Sequence, residues 1–129
     1  MTNAVTLELM QRIDQVFADH NVDGIVASFA PDGVFDNAIG SEVHGARYAG
    51  HAEIRSFYET LFASASDVKW AKTDIRISGN KVDAEWLRTA TTAEGVKQAW
   101  QGMDIYTFRD GLIIKKDTYI KVVLPENAI

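Results

Sequence analysis

The chain opens on a helical pattern. Leu9, Ile13, Val16 and Phe17 recur at three- and four-residue spacing, with Glu8, Arg12, Gln15 and Asp19 between them. That spacing gives one apolar face and predicts a helix from Val5 to about His20. Asn21 can cap a short second helix over Val22–Phe29, with Pro31 just past its end. Gly33–Asn37 reads as a short strand. Ala38–Gly50, with Gly40, Gly45 and Gly50, reads as a loop needing unusual backbone angles. A third helix follows over about His51–Phe62, with Ile54, Phe57, Tyr58, Leu61 and Phe62 on one face.

The period then changes from helix to strand. Val68–Ser78 alternates weakly, and Ser78-Gly-Asn-Lys81 is a hairpin turn. Val82–Thr92 alternates clearly, with Val82, Ala84, Trp86, Arg88 and Ala90 on one face. Turns at Ala93–Gly95 and Arg109–Gly111 bracket a strand containing Trp100–Phe108, and Leu112–Val123 forms the last strand. The order α-α-β-α-β-β-β-β describes an α+β domain over residues 1–129. Its antiparallel meander must bury one face, and curling around the helices leaves a cone with a mouth.

Along Trp100–Phe108 one face carries Trp100, Gly102, Asp104, Tyr106 and Phe108. A single carboxylate thus stands among aromatics, beside a glycine that leaves space. A carboxyl in apolar surroundings resists ionising and can serve as an acid, whereas an exposed edge strand would leave it an ordinary solvated group. The opposite face carries Met103 and Ile105, and the last strand adds Lys115, Asp117, Tyr119 and Lys121 there. Apolar positions on both faces suggest a second layer, so a homodimer through the outer sheet face is expected.

Composition narrows the class. Of 129 residues, 47% are hydrophobic and 24% charged, the balance of a globular domain with a core. The net charge of −5, without a basic block, argues against a nucleic-acid or anionic-membrane partner. The absence of cysteine excludes disulfides and thiolate chemistry. The first residues lack a basic start and an apolar run, so no signal peptide is read, and a cytoplasmic location is the default. His20, His44 and His51 have no metal-ligand spacing, and no metal site is expected.

The layout, with Val22–Ala30, Gly40-Ser-Glu42, Ile54–Tyr58 and Asp104–Gly111, resembles the NTF2-like (SnoaL-like) superfamily of cone-shaped α+β barrels, and most closely its bacterial ketosteroid isomerase branch. The stretches span most of the chain. The fold hosts isomerases, cyclases, dehydratases, epoxide hydrolases and binding modules. The isomerase branch uses an Asp base and an oxyanion hole made of a Tyr and a protonated Asp. By resemblance, Asp104 falls on the protonated Asp. The base position holds Asn37 and the tyrosine position holds Ile13. The epoxide hydrolase relatives use an Asp–Arg–Asp arrangement. Here Arg88 is present, but Thr118 stands at the second Asp.

Registering the strands on the family places Trp86 and Arg88 inward on one strand and Lys116, Thr118 and Ile120 inward on the last. Asp104 would then be an ion-pair partner of Arg88 and Lys116, since buried charges are costly unless paired. Lys116 can equally snorkel to the rim. Trp86, Trp100, Tyr106 and Phe57 would roof the site, with Tyr58 able to donate a hydroxyl and Asn37 to hydrogen-bond a substrate. The resemblance implies a cofactor-independent isomerase, cyclase or dehydratase acting by proton transfer on a small apolar or carbonyl-bearing compound. The alternatives are a non-catalytic small-molecule binding domain and a protein-interaction module using the outer sheet.

Overall fold

The computed structural model describes residues 4–125. Helix α1 spans Leu7–Ala18. The Thr6 hydroxyl accepts from the Leu9 N–H, and Met10, Ile13 and Phe17 form the buried face. The helix stops short of His20 because His20 adopts φ +52, which breaks the ladder. The His20 ring stacks on Phe62 at 4.0 Å and its Nε2 lies 2.6 Å from the Val68 carbonyl, so His20 ties α1 to the third helix.

Helix α2 (Val22–Ser28) is capped by Asn21, whose side chain accepts from the Gly24 N–H. Strand β1 (Phe29–Asp36) follows without a loop. Pro31 lies just past the end of α2, as expected, and inside a strand. It sits where the register against the last strand shifts between Phe29 and Val34, and an irregular edge tolerates its missing N–H. The expected loop holds a further short strand, β2 (Arg47–Ala49), antiparallel to β1. Helix α3 covers Gly50–Ser64 and buries Ile54 and Tyr58.

The meander is β3 (Lys69–Ser78), β4 (Lys81–Thr91), β5 (Lys97–Arg109) and β6 (Leu112–Ile120). The whole sheet runs β2-β1-β6-β5-β4-β3. It is mixed rather than wholly antiparallel, because β1 pairs parallel to β6. Its edges β2 and β3 do not pair, so the curved sheet stays open. The inner residues Val82, Ala84, Tyr106, Phe108 and Ile113 pack against Met10, Ile13, Phe17, Ile54 and Tyr58. Among the described residues no helix is long and apolar enough to cross a membrane.

One irregularity positions the site. Thr107 pairs with Lys115 but Phe108 pairs with Ile113, so Ile114 is an extra residue in β6. Uninterrupted alternation from buried Ile113 would aim Lys115 and Asp117 inward. The bulge switches parity and turns Lys116 and Thr118 in instead; both are buried.

Candidate functional site

A cavity of about 630 Å³ opens between α1 and the inner face of β3–β5. Exposed Gln11, Gln15, Lys69 and Lys72 stand at its rim. Phe17, Trp70, Trp86 and Tyr106 form its walls, and Asp104 and Lys116 lie at its floor. The volume falls within the usual range for small-molecule sites.

Asp104 is 5% exposed, on β5 directly opposite Ala84 and Thr118. The Trp86 indole donates to its Oδ2 at 2.9 Å, and the Thr118 hydroxyl donates to its Oδ1 at 2.6 Å. The Lys116 Nζ lies 3.3 Å from Oδ1. Every one of these partners offers it a proton or a positive charge. Asp104 is an ion-pair partner.

Lys116 is buried beside three aromatic rings, with Nζ 4.4 Å from the Phe35 centroid and 5.4 Å from that of Phe17. Burial is the largest single influence and pushes its pKa down, but Asp104 and Tyr58 together outweigh it and hold the ammonium above the ordinary lysine value. Facing rings add cation–π attraction. The Tyr106 hydroxyl is pushed well above the usual tyrosine value, first by burial and then by the Asp104 charge. Burial also raises Tyr58, while Lys116 opposes that rise. The Tyr58 hydroxyl feels the Lys116 charge yet completes no hydrogen bond among the described residues.

The structure brings together Asp104, Lys116, Thr118, Trp86 and Tyr106, with the Tyr58 ring beside Lys116, and not Arg88, Trp100, Asn37 or Phe57. Arg88 shares the inner face but pairs across from Trp100, far along the strand from Ala84. Its guanidinium stacks on Trp100 at 4.2 Å and donates to the Gln98 side-chain Oε1. Burial lowers its pKa, and it makes no ion pair with Asp104. Trp100 is thus its platform, outside the cavity lining. Asn37 lies past the end of β1, where its Oδ1 accepts from the Ala38 N–H and its own N–H donates to the Ala46 carbonyl. Phe57 packs on Phe35, Tyr48 and Tyr58 behind the cavity, and Tyr58 is 1% exposed in the core.

The sequence reading missed Asp14, Phe17, Trp70 and Lys72. Phe17 was visible as a member of the apolar helix face, but not as cavity wall. Lys72 Nζ reaches Asp14 at 2.6 and 2.7 Å across the mouth, joining β3 to α1. No local sequence pattern predicts that pair, because it depends on where the helix docks.

Gly102 does not leave the expected open space. The Trp86 ring fills it: a Cβ at position 102 would stand 2.4 and 2.6 Å from two indole carbons and 2.8 Å from the Tyr119 carbonyl. Gly102→Ala is therefore expected to push the indole off Asp104. Overpacking of this kind costs about 1–3 kcal/mol. Urea unfolding should show the loss, with a shifted tryptophan emission maximum in the folded state. An unchanged midpoint and emission would mean that Trp86 is not wedged there.

A family model described as SnoaL-like domain matches residues 10–116. No curated protein matches the chain. Among solved structures, an NTF2-like protein of unknown function from Burkholderia pseudomallei superposes with a TM-score of 0.79 at 16% identity, covering 89% of both chains. TerC co-crystallised with polyporic acid gives a TM-score of 0.77 at 20% identity, over 89% of this chain and 90% of that one. A putative SnoaL-like polyketide cyclase from Shewanella denitrificans gives 0.76 at 11% identity, over 88% of each. At these identities the likeness is one of fold.

Proposed function

Because the chain belongs to the SnoaL-like (NTF2-like) domain family, whose pockets carry many chemistries, we propose from its own cavity that it is a cofactor-independent isomerase, cyclase or dehydratase acting on a small ring-bearing carbonyl compound. The observation that carries this reading is the buried Asp104–Lys116 pair on the floor of an open, aromatic-walled cavity. A carbonyl oxygen placed at Lys116 accepts from the ammonium. The Asp104 Oδ2, which accepts from the Trp86 indole, takes a proton from the carbon beside that carbonyl. The C–H electron pair moves into an enolate whose oxygen Lys116 stabilises, and return of the proton elsewhere on the ligand completes an isomerisation or drives ring closure or water loss. The neighbours named polyketide cyclase and the one crystallised with polyporic acid are compatible with a ring-bearing ligand. Met103 and Ile105 on the outer face, with Tyr119 54% exposed, support a homodimer through that sheet face.

A second reading, a binding domain without turnover, is favoured by Asn37 and Ile13, which stand where the isomerase branch has its base and its tyrosine. A panel of cyclic enones and hydroxyketones separates the two. For the enzyme, Asp104→Asn should keep ligand affinity within a few-fold and lose roughly a hundredfold or more in turnover. Binding with no turnover in either form would establish the binder. Binding by neither form would remove both readings of the cavity.

A further inference from the structure

Two rows of the sheet meet at the cavity floor. Asp104 stands directly opposite Thr118, and Tyr106 directly opposite Lys116. All four side chains face inward and are buried, and the rows lie about 7 Å apart along the strands. Enolate formation at this floor uses Lys116 as donor and Asp104 as base. It leaves Tyr106 idle, although Tyr106 lines the same cavity. The hydrogen bonds that hold the Asp104 carboxylate come from Trp86 and Thr118, so Tyr106 is not needed to fix it. Burial and the Asp104 charge keep the proton on Tyr106, so its hydroxyl enters any reaction as a donor. The floor thus offers one base, Asp104, flanked by two donors. Lys116 lies 3.3 Å from it, and Tyr106 is the next same-face residue on its strand. A β-hydroxyketone has the complementary order: a carbonyl oxygen, an acidic C–H on the next carbon, and a hydroxyl on the carbon after that.

We infer that Tyr106 is a catalytic proton donor to a departing hydroxyl, and that the substrate is a ring-bearing β-hydroxyketone that loses water. The inference rests on the cavity being a proton-transfer site. Asp104 Oδ2 takes the proton from the carbon between the two oxygens. The C–H electron pair forms the enolate, whose oxygen Lys116 stabilises. The enolate then re-forms the carbonyl and pushes its electrons into a new C=C bond. The C–O bond breaks with its electron pair on the departing oxygen, and the Tyr106 O–H supplies the proton that makes it water. Asp104 now carries the proton from carbon and Tyr106 has lost one. Transfer from the carboxyl to the neighbouring phenolate restores both groups, and the net change is hydroxyketone to enone plus water. A double-bond isomerisation returns the proton that Asp104 removed and has no use for Tyr106. Loss of hydroxide needs the second proton, which is why the third group at the floor selects this reaction.

The aldol adduct of acetophenone and benzaldehyde, and its β-fluoro analogue, test this on the full chain. Both give chalcone, followed by its absorbance over the buffer rate. Fluoride leaves without a proton, whereas hydroxide does not. Tyr106→Phe should therefore lower turnover of the hydroxyketone roughly a hundredfold and leave that of the fluoroketone within about threefold, while Asp104→Asn lowers both. The two substrates are compared on one protein sample, so a loss of folded protein moves both equally and leaves their ratio unchanged. An equal loss on both substrates in Tyr106→Phe, or no loss on the hydroxyketone, overturns the role of Tyr106. A wild-type protein that eliminates only fluoride overturns it too and leaves Asp104 as base. Elimination of neither compound by the wild type overturns the cavity reading and this inference with it.

Discussion

Lys116→Met is expected to lower stability by about 3–5 kcal/mol, a fall in Tm on the order of 10–20 °C for a chain of this size. The substitution conserves most of the side-chain volume, so a cavity is not the main cause. What remains is a carboxylate, Asp104, 5% exposed and stripped of its cation. The Trp86 and Thr118 hydrogen bonds persist but leave the net charge uncompensated. Asp104→Leu should cost a comparable amount, because it strands an ammonium among Phe35, Phe17 and Tyr58. The double variant Asp104→Leu/Lys116→Met removes both charges together. It should recover much of what either single change loses, since a buried pair and a packed apolar replacement are nearly equivalent in stability. A double-mutant cycle in urea measures this. Additive losses would mean that the two groups do not compensate each other. The double variant should also be inactive while folded. A pair retained although an apolar core would be as stable is better explained by chemistry than by folding.

How much of this was legible from the sequence differs from element to element. The alternation Val82, Ala84, Trp86 in β4 is clean, and the structure buries all three. Strand β2 was hidden because three residues inside a glycine-containing loop carry no period. The parallel pairing of β1 with β6 joins segments far apart in sequence, which no local pattern encodes. The inward turn of Lys116 is a case where local alternation alone misleads. Only the bulge at Ile114 makes it face the site, and the family register carried that information. Arg88 fails for a different reason. Parity fixes the face of a strand but not the position along it, and four residues from Ala84 to Arg88 span roughly 13 Å at ~3.3 Å each. Asn37 fails because alternation ends with the strand: β1 stops at Asp36, and the next side chain serves its own turn.

That same boundary leaves Asp36 fully buried on the outer side of the sheet, and its behaviour in acid is the last expectation. Arg47 binds both its oxygens, at 2.8 and 2.9 Å, and Lys115 lies 3.8 Å away. The Arg47 hydrogen bonds hold its pKa below the usual carboxylate value; burial opposes this, and the charges of Arg47, Lys115 and His44 reinforce it. A carboxyl depressed in the folded state binds protons more readily when unfolded. Its contribution is therefore complete above the unfolded value, about 3.9, and is lost as pH falls through the folded value. Asp36→Asn keeps the shape but breaks the ion pair. At pH 7 it should cost about 2–4 kcal/mol, the penalty for unpairing a buried, bidentate charge-assisted contact. Arg47 is 45% exposed and can turn to solvent, which keeps the loss toward the lower end. As pH falls past the unfolded value the unfolded chain takes up the proton first, the folded wild type loses its advantage, and the two proteins should converge. Urea midpoints at pH 7, 5, 4 and 3 read the gap directly. A gap that stays constant with pH would show that Asp36 stabilises through packing and neutral hydrogen bonds rather than through its charge.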